Sequence, residues 1–115
     1  MSTQSVIEHH LAAFAEGDVD AMLEDYTEDS LLMTPEGNRK GLSELRAAFE
    51  GMLATLFEPG TYEFTMDAMH IEGDLGFIAW SANCRSADVV LGTDTFIVRD
   101  DKITLQTFAA HIEPK

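Results

Sequence analysis

Asp88-Val89-Val90-Leu91-Gly92-Thr93-Asp94-Thr95-Phe96-Ile97-Val98 is the run on which the fold turns. It is rich in β-branched residues, enters the polar turn Arg99-Asp100-Asp101-Lys102, and is followed by a second strand-like run, Ile103 to Ile112. The two runs read as the last hairpin of an antiparallel sheet. Asp94 stands in the middle of the first. A carboxylate is depleted from strand interiors and is costly to bury unless it is paired or protonated. The period of two puts Val90, Phe96 and Val98 on its face, with Gly92 leaving space beside it. An inward-looking face therefore sends Asp94 into apolar surroundings.

Upstream of that hairpin the pattern also has period two. Tyr62, Phe64, Met66 and Ala68 alternate with Thr61, Glu63, Thr65 and Asp67, and Gly73-Asp74 turns the chain into a strand over Leu75 to Arg85. Four long strands with short connections make a meander. Before Gly60 the period is helical. Val6, Ile7, Leu11 and Phe14 form one stripe of a helix over Ser5 to Glu16, with His10 inside the stripe and His9 about 100° away. Gly17 stops it, and Asp18 caps a second helix over Val19 to Tyr26. Ser30 to Thr34 reads as a short strand before the turn Pro35-Glu36-Gly37-Asn38, and Arg39-Lys40-Gly41 leads into a third helix over Leu42 to Phe57. Helices first and a curved antiparallel sheet after them predict one α+β domain, residues 1–115, with the helices on one sheet face.

Seven Lys and Arg against 21 Asp and Glu give a net charge of −14. Such a surface repels phosphate backbones and anionic lipid, so neither nucleic acid nor a membrane is an expected partner. Cys84 is alone, which removes an internal disulfide framework and a thiolate metal site. No signal-peptide pattern and no long apolar run are visible, so a cytoplasmic location is expected. No metal-ligand spacing, phosphate loop or nucleophile elbow occurs, and neither a metal nor a cofactor is expected.

Several stretches in order resemble the nuclear transport factor 2-like superfamily. They are Ala12-Ala13-Phe14-Ala15-Glu16-Gly17-Asp18-Val19-Asp20, Tyr26-Thr27-Glu28-Asp29, Thr34-Pro35-Glu36-Gly37 and the closing Asp94 to Ile103. Within it the chain is similar to the SnoaL-like and ketosteroid isomerase-like branch. That resemblance implies a cone of helices over a curved sheet enclosing a cavity, commonly in homodimers. It places Asp94 where ketosteroid isomerases hold a protonated, oxyanion-binding Asp. Their base falls on Thr34, whose hydroxyl is too weakly basic for proton abstraction. Their oxyanion tyrosine falls on His10, one supporting tyrosine on Tyr26, and another on Phe49, which lacks a hydroxyl. Gly92 stands where the limonene epoxide hydrolase-like pattern wants Arg. Steroid isomerisation and epoxide hydrolysis are both disfavoured. SnoaL-like cyclases use a buried Asp with a nearby His, and Asp94 with His10 is compatible with that chemistry.

Asp94 and His10 are thus the candidate acid/base pair, with Tyr26, Thr34, Phe49, Phe96, Gln106 and Phe108 as candidate ligand contacts. Gln106 shares a face with Phe108 and Ala110 on the neighbouring strand, and two readings stand for it: a contact to Asp94, or an exposed position. Trp80, with Ile78, Ala82 and Cys84, reads as core or dimer surface. Met33, Met52, Met66 and Met69 suit an adaptable apolar lining, with plain core filling the favoured reading. The expectation is an apolar cavity for a small cyclic molecule, with cofactor-independent isomerase- or cyclase-like chemistry. Two alternatives stand beside it. One is a non-catalytic binding domain; the other is a homodimeric module whose sheet face, with Thr93, Thr95 and Ile97, does the work.

Overall fold

The computed structural model describes residues 2–115, and Met1 lies outside the described residues. Three helices, α1 (Thr3–Glu16), α2 (Val19–Leu23) and α3 (Leu42–Ala54), cover one face of a six-stranded sheet. The strands are β1 (Leu31–Thr34), β2 (Gly37–Lys40), β3 (Glu63–Glu72), β4 (Leu75–Asn83), β5 (Ala87–Arg99) and β6 (Lys102–Pro114), in the order β2-β1-β6-β5-β4-β3. The meander β3 to β6 is antiparallel throughout. The sheet as a whole is mixed, because β1 lies parallel to β6. The long excursion through α3, β3, β4 and β5 between them makes that parallel pairing feasible. β2 and β3 remain as edges, so the sheet curls without closing.

Each element starts where its residues satisfy the backbone. Ser2 and Ser5 form a reciprocal capping box at α1, and Gly17, at φ 70°, ends it in the left-handed region. Asp18 caps α2 through Ala21 N–H. That helix stops at Leu23, short of the expected Tyr26. Asp25 and Tyr26 instead donate to the carbonyls three residues back, Met22 and Leu23, which tightens the chain into turns. Similarly α3 ends at Ala54, and Phe57 sits in the following turn yet stays buried. β2 lies in residues read as a connection. Asn38, Arg39 and Lys40 carry no apolar alternation, as suits a charged edge strand.

Irregularities in register bend the sheet around the helices. Pairing shifts between Met66 and Ala68, between Trp80 and Ala82, and between Val89 and Leu91. The last of these moves Val90 off the face of Asp94. Val90 is 48% exposed, and Val89 takes the buried place expected of it. The shift in β3 lets Met69 and Ile71 face the core after it, as Met66 does before it. The core between α1, α3 and the inner sheet face holds Ile7, Met22, Leu32, Leu45, Phe49, Ile78, Phe96 and Ile103, each almost fully buried. His9 Nδ1 and Asp25 Oδ2, 2.7 Å apart, tie α1 to the turn after α2. Burial raises the Asp25 carboxyl, and the bond to Asp25 raises the His9 imidazole.

Candidate functional site

β5 turns Val89, Gly92, Asp94, Phe96 and Val98 inward. On the neighbouring strands Ile78 lies across from Asp94 in β4, and Trp80 across from Gly92. Phe108 lies opposite Asp94 in β6, and Gln106 opposite Phe96. α1 lays His10 over this surface, and the turn after α2 adds Tyr26. All four polar groups are buried: Asp94 is 7% exposed, His10 and Tyr26 are 4%, and Gln106 is 3%.

They form one continuous chain of hydrogen bonds. Trp80 Nε1–H donates to Asp94 Oδ1 at 2.9 Å, and Gln106 Nε2–H to Asp94 Oδ2 at 2.8 Å. Tyr26 O–H donates to Gln106 Oε1. The Tyr26 oxygen is also 3.2 Å from His10 Nδ1. Because the single phenolic proton is given to Gln106, the contact with His10 needs a proton on Nδ1. Burial pushes the Asp94 carboxyl up to about 6, against the opposing pull of its two N–H donors. Burial lowers His10 to about 4, so its imidazole is neutral near pH 7. The Tyr26 phenol is pushed well above its usual value by burial and by the nearby carboxylates Asp94 and Asp25.

Above this chain lies a small cavity of about 60 Å³. His10, Asp94 and Gln106 are its polar wall; Leu11, Phe14, Phe49, Met52, Phe57, Phe64, Ile78, Trp80 and Phe108 supply the rest. The Trp80 indole stacks against Phe64 and Phe108 at ring-centroid distances of 5.4 and 6.2 Å. Leu11, Phe14 and Phe64 also border an outer apolar recess of about 220 Å³, reached past Ala15, Gly60 and Tyr62.

The structure brings Asp94, His10, Gln106, Phe49 and Phe108 to one cavity. Tyr26 and Phe96 stand behind His10, each with ring centroids 5.8 Å from it, and support it without lining the space. Asp94 and His10 are linked through Gln106 and Tyr26 and share no direct hydrogen bond. Thr34 lies elsewhere. Its hydroxyl donates to Gly37 O at 3.0 Å and accepts from Glu36 N–H, which closes the β1–β2 turn. Of the four methionines read chiefly as core filling, Met52, Met66 and Met69 pack against the core, Met52 also lines the cavity, and Met33 is 42% exposed. Trp80 was expected as core or dimer surface; it is core and also an Asp94 donor. The signal was present in the sequence as a buried strand Asp needing donors, beside a glycine with room for a large ring. Among the described residues no three His, Cys, Asp or Glu side chains are grouped to hold a metal ion, and no helix is long and apolar enough to cross a membrane.

A curved, unclosed sheet with three helices over a polar-floored cavity defines an α+β protein of the nuclear transport factor 2-like fold. The chain belongs to the SnoaL-like family: the model of the SnoaL-like domain matches residues 7–106. Solved structures share the fold at low identity. A nuclear transport factor 2-like protein of unknown function from Cytophaga hutchinsonii superposes with a TM-score of 0.78 at 14% identity, covering 96% of this chain and 91% of that one. A candidate polyketide cyclase from Sinorhizobium meliloti gives 0.78 at 14%, covering 94% and 99%. TerC, co-crystallised with polyporic acid, gives 0.79 at 16%, covering 95% and 91%. No curated protein matches the chain.

Proposed function

We propose that the chain binds a small, largely apolar cyclic molecule in the cavity over Asp94 and His10 and carries out cofactor-independent proton transfer on it, in the manner of an isomerase or cyclase. The observation that carries this reading is the buried polar chain at the floor of an otherwise apolar space. Two of its groups can hold or move a proton. Asp94, raised to about 6, exchanges protons near neutral pH, and His10 is neutral there and free to accept one. Thr34 has no part in it. The cavity of about 60 Å³ is under half the roughly 150 Å³ that holds benzene in a buried apolar site. Ring binding therefore needs Phe64 to turn aside and join the inner space to the outer recess. Met52 can yield as well, being unbranched and flexible.

Trp80 is the only tryptophan and lines the cavity, so its fluorescence reports binding directly. Titration with small cyclic alcohols, ketones and phenols is expected to give a saturable change, abolished in Met52→Phe, which fills the space. A non-saturating response, or one untouched by Met52→Phe, counts against the site. Asp94→Asn then separates catalysis from binding: turnover is expected to stop while binding of a ring that carries no hydrogen-bond donor persists.

The outer sheet face supports a second property, self-association. Leu75 and Phe77 are 45% and 38% exposed, and Met33 is 42% exposed. Register places Ile97 and Leu105 in line with Leu75, and Thr95, Thr107 and Met33 in line with Phe77. The neighbours named in β1, β5 and β6 carry no charge, while in β3 Glu72 pairs with Leu75 and His70 with Phe77, on a chain whose net charge is −14. A homodimer through this face is the reading we favour. Sedimentation should show dimers for the native chain and monomers for Phe77→Glu. A native monomer at tens of micromolar removes the idea.

A further inference from the structure

We infer that ionised Asp94 is a positioning residue that holds His10 in its Nδ1–H tautomer, so that the cavity meets an accepting nitrogen, Nε2, and favours a guest that donates an O–H or N–H to it. The inference deepens the binding reading above and rests on it for the guest.

The steps follow from what each group can donate or accept. A carboxylate only accepts, so both neighbours must present N–H to Asp94. Trp80 has no other polar atom. Gln106 must therefore turn its NH₂ to Asp94, which leaves its Oε1 facing Tyr26. An amide oxygen only accepts, so Tyr26 gives it the phenolic proton. The Tyr26 oxygen then takes a hydrogen bond from His10, whose proton must sit on Nδ1. Every bond in the chain points the same way, toward the carboxylate.

Nε2 is the atom left over. No buried side-chain nitrogen or oxygen lacks a partner among the described residues, yet no protein group bonds Nε2. It therefore keeps open surface, and His10, 4% exposed, opens onto the cavity. The rings of Phe14 and Phe49, both lining the cavity, lie 6.4 and 5.8 Å from the His10 ring between centroids. An uncharged base in apolar surroundings rewards a guest hydroxyl and leaves an ether or hydrocarbon without that bond. Gln106 cannot pass a proton as a hydroxyl can, so the chain transmits orientation and not protons.

Asp94→Asn tests the direction. Trp80 still needs an acceptor, so the new amide turns its oxygen to the indole and its NH₂ to Gln106. Gln106 must flip, Tyr26 must donate to Nδ1, and the His10 proton must move to Nε2. Ring ¹⁵N chemical shifts at pH 8 distinguish the two tautomers. The native chain is expected to show protonated Nδ1 and bare Nε2, and Asp94→Asn the reverse. Tyr26→Phe cuts the chain and is expected to release His10 toward the Nε2–H form with Asp94 intact. Native protein found with its proton on Nε2 overturns the inference without any variant. So does an unchanged tautomer in Asp94→Asn. For the guest, phenol and anisole serve as probes, with Trp80 fluorescence as readout. Native protein should bind phenol at least tenfold more tightly than anisole, and Asp94→Asn should lose that preference. Equal binding to native protein rejects donor selection even if the tautomers behave as expected. If neither probe binds, the cavity reading and guest selection fall together, while the tautomer result stands on its spectra.

Discussion

Gly92→Ala is expected to destabilise the fold by about 3 kcal/mol and to red-shift the emission of Trp80. A β-carbon on Gly92 would lie 2.3 Å from Trp80 Cε2, 2.4 Å from Cζ2 and 2.8 Å from Cδ2, well inside contact distance. Aromatic rings hold the indole on three sides. It is stacked between Phe64 and Phe108, and Phe57 meets it edge-on at a centroid distance of 5.9 Å. Overpacking a core costs roughly 1–3 kcal/mol. Displacing the ring also takes Nε1–H from a buried carboxylate, which adds roughly 1–3 kcal/mol. Gly76→Ala is the comparison. Its β-carbon meets Ile7 Cδ1 at 2.3 Å, but that atom ends a side chain able to rotate, so about 1 kcal/mol is expected. Urea midpoints measure both. Equal, small losses with unchanged Trp80 emission refute the account of Gly92 as the seat of the indole.

Stability against pH should separate Asp94 from His10, because the two titrations oppose one another. Asp94 titrates at about 6 in the fold, against an ordinary value of 3.8. Between pH 4 and 6 the folded state holds a proton that the unfolded chain has released, so stability falls as pH rises. The loss is about 3 kcal/mol at 1.36 kcal/mol for each pH unit of difference. His10 titrates at about 4, against 6.5. Between pH 4 and 6.5 the unfolded chain holds the extra proton, so stability rises with pH, again by about 3 kcal/mol. In the native chain these slopes nearly cancel. Relative to it, Asp94→Asn should therefore gain stability with rising pH over this window, and His10→Gln should lose it. The His9–Asp25 pair is common to all three proteins and drops out of the differences. Parallel profiles for the three would mean that neither group is held as the structure has it.

Much of the architecture is legible in the chain, for a local reason. Gly17 and Asp18 announce helix ends, alternation announces β3, and a run rich in β-branched residues announces β5. These signals depend on neighbours within a few residues. Where the signal is weak, the reading slips. β2 is charged and only four residues long, and nothing in Asn38-Arg39-Lys40 marks a strand until β1 is beside it. Val90 shows the same limit. Strict alternation puts it inside, and a bulge that depends on pairing with β4 and β6 puts it outside.

At the cavity the division is finer. That Asp94 lies on an inward strand face, and that His10 lies on the apolar stripe of α1, follows from residue type and period alone, since both are properties of one element. What the sequence could not contain is who answers whom. Trp80, Gln106, Tyr26 and His10 are far apart in the chain, and their order as donors and acceptors exists only once β4, β5, β6 and α1 are in register. The same holds for Thr34, sound by position along the chain and wrong in space, because its hydroxyl is taken by the turn it sits in. Periodicity selects the face of a side chain; only packing decides its partner, because hydrogen bonds are made across distances that no local pattern encodes.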